Sequence, residues 1–168
     1  MQLSKERLAR AKTLLRTIHH TAIATVNDDG TPHSSPVFMA FDPILNGYWS
    51  SHPENTHSRN ITRDGHVFLV VFDSREGHGG LYIQAIAEEV EDDNQHKHAY
   101  ALLKQLKGDV HGAMSEREQY MGDGQRLYVA RPVKLWLNSS DKDASGAIVR
   151  DHRYEITIDA LRLGDLSS

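Results

Sequence analysis

The chain contains no cysteine. That excludes disulfides, thiolate metal sites and cysteine nucleophiles, although it identifies no compartment. It also lacks any apolar run approaching the ~20 residues that span a bilayer. The N-terminal stretch MQLSKERLARAKTLLRTI is charged and amphipathic and carries no signal-peptide cleavage pattern, so a cytoplasmic protein without a membrane partner is expected. An excess of basic charge is missing too. Lys plus Arg number 19 against 23 Asp plus Glu, and the cations are scattered, so nucleic acid is not an expected partner. Two catalytic patterns are absent: the Gly-x-Ser-x-Gly elbow of many hydrolases and the His-Glu-x-x-His of zinc proteases. The 11 histidines do not replace them. His19 and His20 diverge on helix or strand alike, His96 and His98 do not share a helix face, and His52 and His57 belong to no metal motif, so no metal site is expected.

What the chain does hold is a sequence of strand-length patterns separated by turns. With 168 residues it is long enough for one domain with a real core, expected over 1–168. Leu3, Leu8, Ala11, Leu14, Leu15 and Ile18 recur at helical spacing, predicting an amphipathic helix over about 4–18. TAIATVN (21–27), DDG (28–30) and PHSSPVFMAFD (32–42) read as a hairpin. Pro32 and Pro36 cannot donate to a ladder, which puts the second strand at an edge or makes it irregular near its start, leaving backbone groups free for a ligand.

Further strands are predicted at 47–51, 66–73, 81–92, 125–138 (broken by Pro132) and 152–158, with a barrel over about 20–158. Helices are predicted at 53–63, at 94–107 with Gly108 as the stop, and at 115–121; 74–80 and 138–147 read as loops. The Gly77–Gly80 part of the first loop is expected to form a mobile rim of a ligand cleft. Along 81–92 the alternation places Leu81, Ile83, Ala85 and Ala87 on one side and Tyr82, Gln84, Ile86 and Glu88 on the other. This order gives a mainly β fold, an antiparallel barrel decorated by helices, and not a βαβ series.

One junction concentrates polar chemistry. WSSHPENTHSRNI (49–61) crowds hydroxyls, amides and cations where a strand ends and a helix begins. Unpaired N–H groups and the positive end of the helix dipole would let those side chains complete an anion site. The same residues also make a well-capped turn, and both readings stand on this stretch alone.

Four segments together resemble the FMN-binding split barrels related to pyridoxamine 5′-phosphate oxidase: TAIATVNDDGTPHSSPVFMAFD, YWSSHPENTHSRNITRDGHVFLVV, LYIQAIAEEVED and RLYVARPVKLWLN. They cover most of 20–138 in the family's order. The resemblance implies a split β-barrel with Greek-key-like connections, and an obligate homodimer with two FMN molecules at the interface, each completed by the partner. It also implies that Ser50 and Ser51 lie against the flavin and that Asn55, Thr56 and His57 meet its phosphate. Ser34, Ser35, Pro36, Val37 and Met39 would run alongside the flavin, their backbone reading its polar edge, with Gln84 and Trp136 near the ring.

The chain departs from the oxidases at informative places. Ser34 and His57 stand where they carry Arg and Lys, so the phosphate must rely on hydroxyls, the helix start and Arg59. Arg153, in RDHRY, is the counterpart of an arginine that approaches the flavin, whereas SSDKDASGA has no place in the oxidase pattern. The expected function is therefore an FMN-dependent oxidoreductase acting on an unidentified small molecule, with NADH or NADPH as a possible electron donor. The alternatives are a flavin-binding module that stores or senses redox state, or a deazaflavin (F420) or haem relative of the same fold.

Overall fold

In the computed structural model, which describes residues 5–75, 80–111 and 124–161, the chain forms seven strands and four helices. They are α1 (Lys5–Thr17), β1 (His20–Val26), β2 (Pro32–Phe41), β3 (Gly47–Ser51), α2 (Thr56–Arg63), β4 (His66–Phe72), β5 (Gly80–Glu89), α3 (Asp93–His111), β6 (Arg126–Lys142), β7 (Ile148–Ile156) and α4 (Ile158–Leu161). The strand order β3-β2-β1-β4-β5-β6 closes on itself through a β3–β6 pairing, and β7 adds to β6 outside the ring. Every pairing is antiparallel. The result is a closed six-stranded antiparallel barrel, mainly β, as the periodicity predicts.

Strict alternation builds the barrel interior. Ile23, Met39, Trp49, Leu69, Ile83, Tyr128 and Leu135 fill it, and α1 adds Ala11, Leu14 and Leu15 to the same core. A second, smaller core lies outside the wall, where Ala99, Tyr100 and Leu103 of α3 pack on Ala40, Tyr48, Leu127 and Val129. Fully burying such a side chain contributes about 1.5–3 kcal/mol, so the two clusters are the main source of stability.

β5 ends at Glu89 instead of 92, and the strand expected at 152–158 is Ile148–Ile156 with α4 after it. Four further differences from the sequence reading have a local reason. Residues 53–55 form a turn closed by Asn55 N–H donating to His52 O at 3.1 Å, so α2 begins at Thr56. α3 continues through Gly108 to His111, because Gly108 does not adopt the left-handed φ that a helix stop uses. Pro132 does not break β6; the ladder shifts register between Gln84 and Ala85 and the strand continues. The first half of 138–147, expected as a loop, is strand: β6 extends to Lys142 against β7, which starts at Ile148. Only 143–147 turn, held by the Asp143 carboxylate accepting N–H groups of Ser145 and Ala147, with Gly146 at φ 86°. The helix expected at 115–121 and the rim expected at 77–79 lie outside the described residues.

Two glycines provide opposite tests of this packing. Gly65 O accepts Ala87 N–H at 2.7 Å, and a Cβ on Gly65 would stand 2.6 Å from Ala87 O, so Gly65→Ala is expected to lose about 1–3 kcal/mol. Gly108 is exposed inside a helix with nothing within 4 Å of a Cβ, so Gly108→Ala is expected to gain up to about 1 kcal/mol. Urea denaturation of the two variants checks both signs.

Candidate functional site

The barrel wall is incomplete at one place. β3 pairs with β2 only at Met39, Ala40 and Phe41, whereas its own Gly47–Ser51 all pair with β6. Residues 32–38 of β2 therefore have β1 as their one strand neighbour among the described residues. Met39 N–H donates to His19 O at 2.8 Å, so in this alternating ladder the odd-numbered residues of β2 bond to β1. Pro32, Ser34 and Pro36 turn their main-chain groups to the open edge. Both prolines thus occupy positions where a missing N–H costs the ladder nothing, as the sequence led us to expect for an edge.

Across this split stand Ser50 and Ser51 at the end of β3, followed by the first turn of α2. Asn55 is the N-cap, yet its side chain makes no capping bond. Its Nδ2 donates instead to Ser51 Oγ at 2.7 Å, leaving the first-turn N–H groups of α2 without a side-chain acceptor. His57 points inward: its Nε2 lies 2.9 Å from Ser51 Oγ, and the residue is only 7% exposed. Burial, reinforced by the nearby charge of His33, pushes the His57 imidazolium pKa below its usual value. His33 is paired in turn, its Nε2 lying 2.9 Å from Ser35 Oγ. The predicted residues Ser34, Ser35, Pro36, Ser50, Ser51, Asn55, Thr56 and His57 are thus brought to one split, between β2 and α2. Val37 and Met39, predicted to run alongside the ligand, belong to the barrel core by their side chains and to the β1 ladder by their main chain, so the structure takes both out of the site.

The solvent-open side of α2 is a cleft of about 530 Å³ bordered by Asn27, Asp28, Thr56, Arg59, Asn60 and Arg63, with Asp29 at its edge. α2 is fixed to the β1–β2 turn on this side. Asn60 Nδ2 donates to Thr25 Oγ1 and to Asn27 Oδ1, both at 3.0 Å, while Arg63 bonds Asp28 and Val26 O. Arg59 is not so committed; its one ion pair is to Glu54 at 3.5 Å and its side chain is 63% exposed.

Gln84, Trp136 and Arg153 lie elsewhere, on the outer face of β5, β6 and β7. There Phe68 stacks with Trp136 (6.2 Å, 30°), and the Arg153 guanidinium sits 3.9 Å above the Tyr82 ring. Register connects this patch to the split. One row runs Ser34–Ala24–Phe68–Gln84–Lys134 and the next Pro36–Ala22–Val70–Tyr82–Trp136. The small Ala22 and Ala24 make a shallow floor between β2 and the aromatic cluster. Sequence reasoning missed His33, Asn60, Phe68 and Tyr82 as neighbours of the site. His33 was detectable as the inward partner of Ser35 at period two; Asn60 was not, because its partners lie more than 30 residues away. Among the described residues no three His, Asp or Glu side chains gather where they could hold a metal ion, and no helix is long and apolar enough to cross a membrane.

A closed, split antiparallel barrel decorated by helices is a split-barrel fold, shared with solved structures. The sequence model of the family described as pyridoxamine 5′-phosphate oxidase matches residues 8–138, and the chain belongs to this family. No curated protein matches the full sequence. Among solved structures the chain is similar to a putative pyridoxamine 5′-phosphate oxidase from Listeria innocua (16% identity, 77% of this chain and 96% of that chain covered, TM-score 0.60). It is also similar to an F420 reductase (22% identity, 74% and 94% covered, TM-score 0.57). A third is HutZ, the heme storage protein from Vibrio cholerae (18% identity, 77% and 92% covered, TM-score 0.59). At these identities the likeness shows the fold.

The buried His57 makes stability depend on pH. Its folded pKa lies below the 6.5 of a free imidazole, so the unfolded chain binds the extra proton first and stability falls as pH drops. Thermal melts of the ligand-free chain between pH 7.5 and 5.5 are expected to show a falling Tm, and a smaller fall for His57→Gln. Equal slopes for the two proteins would contradict a buried neutral His57.

Proposed function

We propose that the chain is an FMN-binding flavoprotein acting as an oxidoreductase on a small molecule, cytoplasmic, one domain per chain and working as a homodimer. The observation that carries this reading is the split itself: a one-sided β2 edge, with the Ser34 N–H and C=O turned outward, stands beside a helix whose N-terminus has no side-chain cap. A helix start of this kind suits a phosphate. Thr56 and the first-turn N–H groups would meet the phosphate oxygens, Arg59 would add the exposed cation, and Asn55 and His57 would close the seat from below. Ser50, Ser51 and the outward main-chain groups of Ser34 and Pro36 would read the polar edge of the ring, which would lie over Ala22 and Ala24. Family resemblance and the residues present agree here, with hydroxyls and main chain replacing the missing Arg and Lys.

When bound, FMN would supply the electron chemistry; the protein positions it and excludes competing reactions. The outer face carrying Phe68, Val70, Tyr82 and Trp136 is a partly exposed apolar sheet surface, and it supports a second copy of the chain as its cover. In that assembly Gln84, Trp136 and Arg153 would reach the flavin held by the other copy. The F420 reductase and the heme storage protein among the structural relatives keep a deazaflavin or haem as the competing ligand.

Fluorescence titration compares FMN with riboflavin, which has the ring but no phosphate. A charged hydrogen bond contributes about 1.5–3 kcal/mol, so FMN is expected to bind at least about tenfold tighter, and Arg59→Ala to weaken FMN while leaving riboflavin nearly unchanged. Equal affinity for the two ligands would overturn the phosphate seat. Anaerobic addition of NADH or NADPH then separates an enzyme, whose bound flavin bleaches, from a flavin-storing or redox-sensing module, whose flavin does not.

A further inference from the structure

The residue beneath the proposed phosphate seat, His57, has an unusual set of partners. Ser51 Oγ already accepts Asn55 Nδ2 at 2.7 Å, and its own proton has two places to go: His57 Nε2 at 2.9 Å, or His52 O at 3.5 Å. With the Ser51 hydroxyl donating to Nε2, His57 is neutral and carries its proton on Nδ1, which makes no hydrogen bond among the described residues. With His57 protonated, Nε2–H donates to Ser51 Oγ and the hydroxyl turns to His52 O. The same three groups therefore satisfy either protonation state without moving the backbone. An Arg at this position has no such second state.

We propose that this site takes up one proton as it takes up a phosphate dianion: the proton goes to His57 and Ser51 reorients to receive it. The inference rests on the phosphate seat proposed above and adds its regulation. In the balance no bond to the phosphate forms or breaks; a proton leaves solvent or buffer and becomes the Nε2–H of His57, and the ligand dianion offsets the charge. His33 enters as the neighbour that, after burial, opposes a proton on His57.

The other titratable and charged groups on the elements packed around α2 do not take that role. β1 offers His20, at its far end, and β5 offers Tyr82 and Glu88 on its outer face and Glu89 in the row of Ala87, opposite Tyr128. On β6, Arg126 is paired with Glu89, and Tyr128 is a phenol held above its usual pKa by burial. Asp28 is tied to Arg63, Asp29 to Thr31, Glu54 to Arg59 and Asp64 to His66. His33 has the Ser35 hydroxyl as its hydrogen-bond partner among the described residues, at 2.9 Å.

Isothermal titration calorimetry of FMN into the intact protein, in buffers of different ionisation enthalpy between pH 7 and 9, counts the protons. About one proton per FMN is expected, with affinity falling about tenfold per pH unit while the free site is neutral and the bound site charged. Riboflavin is expected to bind without proton uptake. His33→Gln is expected to move the FMN midpoint to higher pH and, in the ligand-free protein, to raise the His57 titration followed by NMR. FMN binding with no proton uptake overturns this inference and leaves the flavin reading intact; failure of FMN to bind overturns both. A His57 titration unmoved by His33→Gln removes His33 from the account, a result that needs no ligand.

Discussion

The closure of the barrel by one long strand is the constraint on which the rest depends. β6 pairs with β3 over Arg126–Ala130, with β5 over Tyr128–Leu137 and with β7 over Leu135–Lys142. Because Ser50 and Ser51 follow β6, they leave the side of β2, and the edge at Ser34 and Pro36 stays open. Trp49, stacked on Tyr128 at 5.4 Å and fully buried, anchors that choice from inside the barrel. Had β3 continued along β2 instead, the ladder would have covered the main-chain groups now turned to solvent.

The two ends of the barrel are built from different chemistry. At one end α1 delivers Ala11, Leu14 and Leu15 into an apolar core. At the other, α2 brings His57, Ser58 and Asn60, all buried, against Thr25, Ser51 and the half-buried His33 and Ser35. A buried polar group costs free energy unless bonded, so a polar end is a poor way to obtain stability alone. Here most of those groups are bonded in short, specific pairs, and Ser58 Oγ and His57 Nδ1 are left without a hydrogen bond among the described residues. Concentrating polarity at one end while the rest follows simple alternation is what a binding site on a stable scaffold requires.

Much of this was legible in the sequence because the strands obey period two. The inward set Leu81, Ile83, Ala85 and Ala87 falls where the alternation puts it, and Pro32 with Pro36 announced the edge. What local pattern could not supply was pairing. The Ser/Asp-rich 138–142 looks like a loop because it has no core to face, yet β7 provides its ladder. Gly108 reads as a stop only if its φ turns positive, which it does not. The candidate residues were legible as a group from 50–57, but not as an arrangement. Ser51 and His57, read as hydroxyl and cation for a ligand, bond to each other, and Gln84, Trp136 and Arg153 occupy a separate outer face that the alternating rows connect to Ser34 and Pro36.

The most direct test of a flavin phosphate at the split is the identity of the molecule that the protein itself carries. Mass spectrometry of the supernatant released by heating the protein purified at neutral pH is expected to find FMN, near one per chain. Finding a deazaflavin or haem in its place would contradict the account.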